Sequence, residues 1–104
     1  MEFKEYQKKA RETAVYDTGD VVGYLFTGLV SEVGEVAALY ERRMRDKEPL
    51  DDYKLKHELG DILWYVTILA EDEGIDLEDI AKSNIEKLHD RFKRNVIHGK
   101  GDNR

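Results

Sequence analysis

The apolar side chains of this chain recur every three to four residues in four successive stretches, the period of an amphipathic helix. Phe3, Tyr6, Ala10 and Ala14 make a thin stripe that predicts a covering helix from about Phe3 to Tyr16. Asp17, Thr18, Gly19 and Asp20 are a turn cluster, in which Asp17, Thr18 or Asp20 can cap the next helix. That second helix, ending near Arg45, gathers Leu25, Phe26, Leu29, Val33, Val36, Ala37 and Tyr40 on one face. A loop over Lys47, Glu48, Pro49 and Leu50 leads to Asp51 or Asp52, the N-cap of a third helix reaching about Glu73 with Leu55, Leu59, Ile62, Val66 and Leu69 on its face. Gly74 stops it, and Asp76 opens a fourth after a turn so short that the two are expected to pack antiparallel. Leu77, Ile80, Ala81, Ile85, Leu88 and Phe92 form the fourth face, interrupted at its centre by Asn84.

These elements predict an all-α antiparallel bundle of about four helices, with residues 1–97 as a single domain and the polar, glycine-rich 98–104 as a mobile tail. A chain of 104 residues buries only a modest core. Trp64 and Ile68 form a second stripe on the far side of the third helix, and a helix apolar on two sides is buried on two sides. The expectation is that this stripe is a subunit interface, in preference to a base-stacking platform, and that a homodimer or homotetramer completes the bundle.

Charge narrows the partners. A formal net charge of -6 argues against a general nucleic-acid binder, which needs clustered Lys and Arg against phosphates. Free nucleotides stay open, because a metal ion can supply positive charge. The absence of cysteine excludes thiolate chemistry and disulfides. With no apolar run of the roughly 20 residues that span a bilayer and no signal-peptide core, no membrane role is expected and the cytoplasm is the expected location.

Two matched acidic pairs carry the candidate chemistry: Glu32 and Glu35 in S-E-V-G-E-V, Glu58 and Asp61 in H-E-L-G-D-I. Each pair has i, i+3 spacing and lies on the same shoulder of its helix's apolar arc, so packing the two faces together brings the pairs towards one another. Carboxylates held so close repel unless a counter-charge is present, and a hard divalent cation with oxygen ligands answers that need. A single acidic pair of this spacing is commonly a solvated boundary feature; two matched pairs on apolar shoulders weigh against that reading. The histidine of a Glu-x-x-His di-iron site is missing from both pairs, which favours Mg²⁺ or Mn²⁺. No glycine-rich phosphate loop is present, and Ser31 and Ser83 lack a base partner. Tyr65 shares the shoulder of Glu58 and Asp61, either touching a ligand or filling space.

Lys87 and Arg91 flank Asn84 on the fourth helix and make a reasonable anion site, or else two solvated cations beside a tied amide. Arg42, Arg43 and Arg45 complement the end of the second helix dipole, or reach a phosphate.

Together these residues resemble the MazG-like nucleoside triphosphate pyrophosphohydrolases of the all-α NTP pyrophosphatase superfamily. The pattern E-x-x-E, spacer, E-x-x-D reads Glu32, Glu35, Glu58 and Asp61; the flanks S-E-V-G-E-V-A and E-L-G-D-I-L-W-Y, the first-helix text E-Y-Q-K-K-A-R-E-T-A and N-I-E-K-L-H-D-R are also family-like. The resemblance implies cleavage of a nucleoside triphosphate between its α- and β-phosphates to a monophosphate and pyrophosphate, in clearance of nucleotide pools. It implies Mg²⁺, with Mn²⁺ as a substitute, on Glu32, Glu35, Glu58 and Asp61 as metal and catalytic residues, Glu35 being the choice for orienting or deprotonating water. It implies substrate binding by Asn84, Lys87 and Arg91. A narrower dUTP or dCTP hydrolase and a non-catalytic nucleotide-binding oligomer are the alternatives.

Overall fold

The structure is a computed structural model in which residues 1–16 and 20–104 are described; the proposed caps Asp17 and Thr18, with Gly19, lie outside them. It contains four helices and, among the described residues, no strand: α1 (Phe3–Glu12), α2 (Val21–Asp46), α3 (Asp52–Asp72) and α4 (Leu77–Lys93). The all-α expectation holds.

The ends follow local chemistry. Asp20 caps α2, its carboxylate accepting from the Gly23 N–H at 2.9 Å, and Asp51 caps α3 by accepting from Lys54 N–H at 3.1 Å. α2 stops at Lys47, which takes the left-handed conformation with φ 58°. α1 is shorter than its stripe suggested: Thr13 turns its hydroxyl back to the Ala10 carbonyl at 2.7 Å, and the helix ends. Gly74 terminates α3 with φ +70°, while Ile75 N–H returns to the Ala70 carbonyl at 2.8 Å.

Gln7 fixes the junction of three helices. Its amide nitrogen donates to Glu71 at 2.8 Å and to the Ile75 carbonyl at 3.1 Å, and its oxygen accepts from Leu77 N–H at 2.8 Å. Asp76 makes no side-chain cap bond, so a residue of α1 satisfies one of the orphan donors at the start of α4.

α3 is the central element: it packs along α2 on one side and under α1 on the other. Leu25 and Ile68, both 0% exposed, meet Ala10 in the core, with Trp64, Tyr65, Tyr6 and Leu69 around it. This corrects the assignment of Trp64 and Ile68 to a subunit interface. The indole N–H of Trp64 donates to the Thr13 hydroxyl at 2.7 Å, and Ile68 lies beneath α1. The second stripe of α3 is buried by the chain's own first helix.

α4 departs from a closed antiparallel bundle. It packs on α1 more than on α3 and has no contact with α2 among the described residues. The radius of gyration is 16.6 Å, against about 13 Å for a compact chain of this length. Apolar side chains are left in solvent: Phe26, Val30 and Val33 on α2, Leu59 on α3, Ile85 and Phe92 on α4. By length and composition alone α2 is long and apolar enough to cross a membrane. It carries Glu32 and Glu35, whose charges are costly in hydrocarbon, and its partner in the fold is α3.

Residues 98–104, expected as a mobile tail, fold back on the end of α4. Arg104 donates to the carbonyls of Val96 and Ile97, both at 3.1 Å, and Arg94 reaches the Arg104 carbonyl at 2.7 Å. Guanidinium groups with many donors hold a segment whose composition is otherwise that of a loop.

Candidate active site

The pairing of α2 with α3 brings together one carboxylate of the first acidic pair and both of the second. Carboxylate oxygens of Glu32, Glu58 and Asp61 all lie within 4.8 Å of one another. Glu32 and Glu58 are half-buried, and Asp61 is exposed. Glu35, one turn further along α2, is exposed and stands outside this group, although its charge still acts on Glu32.

The electrostatics report crowding. Glu32 is pushed up to about 7, first by a hydrogen bond with Glu58, then by burial and by the charges of Asp61, Glu58 and Glu35. Among the described residues, no ion pair with a Lys, Arg or His involves any of the three. An all-oxygen cluster without a protein counter-charge fits a hard divalent cation, and fits poorly as a structural salt-bridge network.

Aromatic groups wall the cluster. Tyr65 hydroxyl acidity is weakened by burial and by the neighbouring Tyr24, Glu32 and Asp61; Tyr6 of α1 is raised by burial and by Asp61. The Tyr65 ring lies on Gly28, where an added Cβ would come within 2.7 Å of the tyrosine oxygen. Gly28 therefore lets α3 deliver Tyr65 beside the carboxylates, a role that the sequence pattern did not single out. Gly28 also belongs to a shallow groove lined with Asp20, Gly23, Tyr24, Thr27 and Ser31, which leads along α2 towards Glu32.

The candidate anion residues lie elsewhere. Lys87 and Arg91 are on α4, which does not touch α2, and both already hold the carboxylate of Asp102, at 2.9 and 2.8 Å. Asn84, one turn before Lys87, is exposed. Asp102 was missed because a lone acid in a glycine-rich tail carries no periodic signal. Of the basic end of α2, Arg42 faces Glu48 at 3.8 Å and Arg45 is bound to Glu41 and Asp46, so local acids take up the charge assigned to a helix end or a phosphate.

Comparison with known proteins identifies the family. The model of the MazG nucleotide pyrophosphohydrolase domain matches residues 23–96, a span that holds both acidic pairs as well as Asn84, Lys87 and Arg91. The chain is 39% identical over 111 residues to the Gene 37 protein of Mycobacterium phage L5, covering 95% of this chain and 96% of the phage protein. No solved structure matches.

Proposed function

Because the chain belongs to the MazG nucleotide pyrophosphohydrolase family, we propose that it hydrolyses nucleoside or deoxynucleoside triphosphates to monophosphates and pyrophosphate, using Mg²⁺ or Mn²⁺. The observation that carries this reading is the convergence of Glu32, Glu58 and Asp61 without a protein cation among them.

Those three residues would hold the metal. When bound, the ion would neutralise phosphate oxygens and make water more acidic. The chain's own groups do the rest. Glu35 is near enough to influence Glu32 yet remains outside the trio, so it can orient a water and take its proton while the water oxygen attacks the α-phosphorus. The bond from the α-phosphorus to the bridging oxygen breaks, and pyrophosphate leaves with the electron pair. Tyr65 and Tyr6 restrict water around the acids, and the groove along α2 is the place for the nucleoside.

Lys87, Arg91 and Asn84 would receive the pyrophosphate end. Since α4 does not reach α2 within one chain, this assignment requires a second copy to bring its α4 against the carboxylates of the first. The exposed Phe26, Val30, Val33, Ile85 and Phe92 supply the apolar surface for a homodimer or homotetramer. The work of such an enzyme would be clearance of nucleotides in the cytoplasm.

Phosphorus NMR of the protein with mixed NTPs and dNTPs tests the reaction. Monophosphate and pyrophosphate should appear only when Mg²⁺ is present. Diphosphate with orthophosphate would place the cleavage at the wrong bond, and no turnover would leave a nucleotide-binding helical oligomer.

A further inference from the structure

Lys87 and Arg91 stand one turn apart on α4, and both direct a donor at a single oxygen, Oδ1 of Asp102, at 2.9 and 2.8 Å. Arg91 Nη2 also donates to the Asp102 backbone carbonyl at 2.6 Å. The result is asymmetric. Arg91 is 4% exposed under the tail, whereas the Asp102 side chain is 74% exposed.

The segment bearing Asp102 is held on its own account. Arg104 donates to the carbonyls of Val96, Ile97 and Gly101, Arg94 binds the Arg104 carbonyl, and Gly101 supplies the turn with φ +77°. It also lies beyond residue 96, where the match to the family ends. Two cations converging on one anionic oxygen is the arrangement that binds a phosphate oxygen. Bracing of Arg91 is already provided by the backbone carbonyl, so the carboxylate, shared with Lys87, is the part that excludes another anion.

We propose that residues 98–104 are an internal plug, in which the Asp102 carboxylate occupies the anion site of Lys87 and Arg91 until a pyrophosphate or nucleotide phosphate displaces it. The inference rests on the reading of these two cations as the pyrophosphate end of the substrate site. Displacement is favoured by charge: one solvent-open carboxylate competes with a ligand carrying several negative charges for the same two cations. The plug lowers apparent affinity by the fraction of time it is seated.

Calorimetric titration of the full chain with inorganic pyrophosphate, in EDTA so that no metal bridges the ligand to the carboxylate trio, tests the plug. Asp102→Ala removes the competing acceptor and Asp102→Asn removes its charge while keeping its size. Both should bind pyrophosphate about tenfold more tightly than the native chain, the gain expected from losing a charge-assisted competitor. Adding Lys87→Gln to either should abolish the gain. Equal or weaker binding in both Asp102 variants, with helicity unchanged by circular dichroism, overturns the plug, as does the absence of pyrophosphate binding in every form. The phosphorus NMR assay on the same variants separates this from the proposed reaction. NTP cleavage with unchanged pyrophosphate affinity sinks the plug alone, and tighter binding without cleavage supports the plug and sinks the reaction.

Discussion

The acidic trio between α2 and α3 and the basic pair on α4 pose the same electrostatic problem with opposite signs, and the molecule treats them differently. Lys87 and Arg91 receive a carboxylate from elsewhere in the chain. Glu32, Glu58 and Asp61 receive no cation from the described residues, and Glu32 responds by rising to about 7. A crowded site left without a counter-charge stores repulsion that a ligand of the opposite sign can relieve; one that is internally neutralised gives a ligand something to displace.

The largest expected effect breaks the acidic side. Glu58→Gln takes one negative charge from the proposed metal site while keeping a side chain that can still hydrogen-bond Glu32, and turnover measured by pyrophosphate release should fall by about a thousandfold. Glu35→Gln, outside the trio, should reduce turnover about a hundredfold. Helicity should persist in both, because neutralising one member of a repelling cluster relieves strain. Unchanged turnover in Glu58→Gln would remove the carboxylates from the chemistry altogether.

Next in size is stabilisation by the proposed divalent cation. Mg²⁺ at a hundred times its dissociation constant should stabilise the native chain by about 2.7 kcal/mol, read as a rise in thermal midpoint. An equal ionic strength of NaCl should not reproduce this rise, and Glu58→Gln should lose most of it.

These two predictions concern residues whose pairing was legible before the fold was known. The i, i+3 spacing on matched apolar shoulders placed Glu32, Glu58 and Asp61 together, because α2 and α3 do pack along those faces. It could not show that Glu35 stands out of the group, since a wheel gives an angle and not the crossing of two helices. Trp64 and Ile68 show the same limit: their stripe was read correctly as a second buried face, but a wheel does not say whether α1 or another copy covers it. The placement of α4 was harder still. Gln7, seventy residues away, caps its first N–H, and no local pattern marks such a contact.

A smaller effect follows from the raised Glu32. Its folded value, about 7, lies above its ordinary 4.5, so the protonated form is favoured by folding. Metal-free protein therefore has this contribution in full below about pH 4.5 and loses it as pH rises through 7. Thermal midpoints measured in EDTA should decline across that window relative to Glu32→Gln, which lacks the titrating group. A parallel course for both proteins would mean that the carboxyls are not crowded in solution.

The smallest effect lies at the basic site and has the opposite sign. Asp102 is held down to about 2, first by its hydrogen bonds from Lys87 and Arg91 and then by their charge, against an ordinary 3.8. Its contribution is present above pH 3.8 and is lost as pH falls through 2, the reverse of Glu32. With the carboxylate open to solvent, global stability should barely register the loss, so the measurement is the carboxyl ¹³C shift of Asp102 itself. Its midpoint should lie near 2 in the native chain and move up towards 3.8 in Lys87→Gln. A native midpoint already at 3.8 would show that the tail does not neutralise the pair, and the contrast between the two charged sites would then be lost.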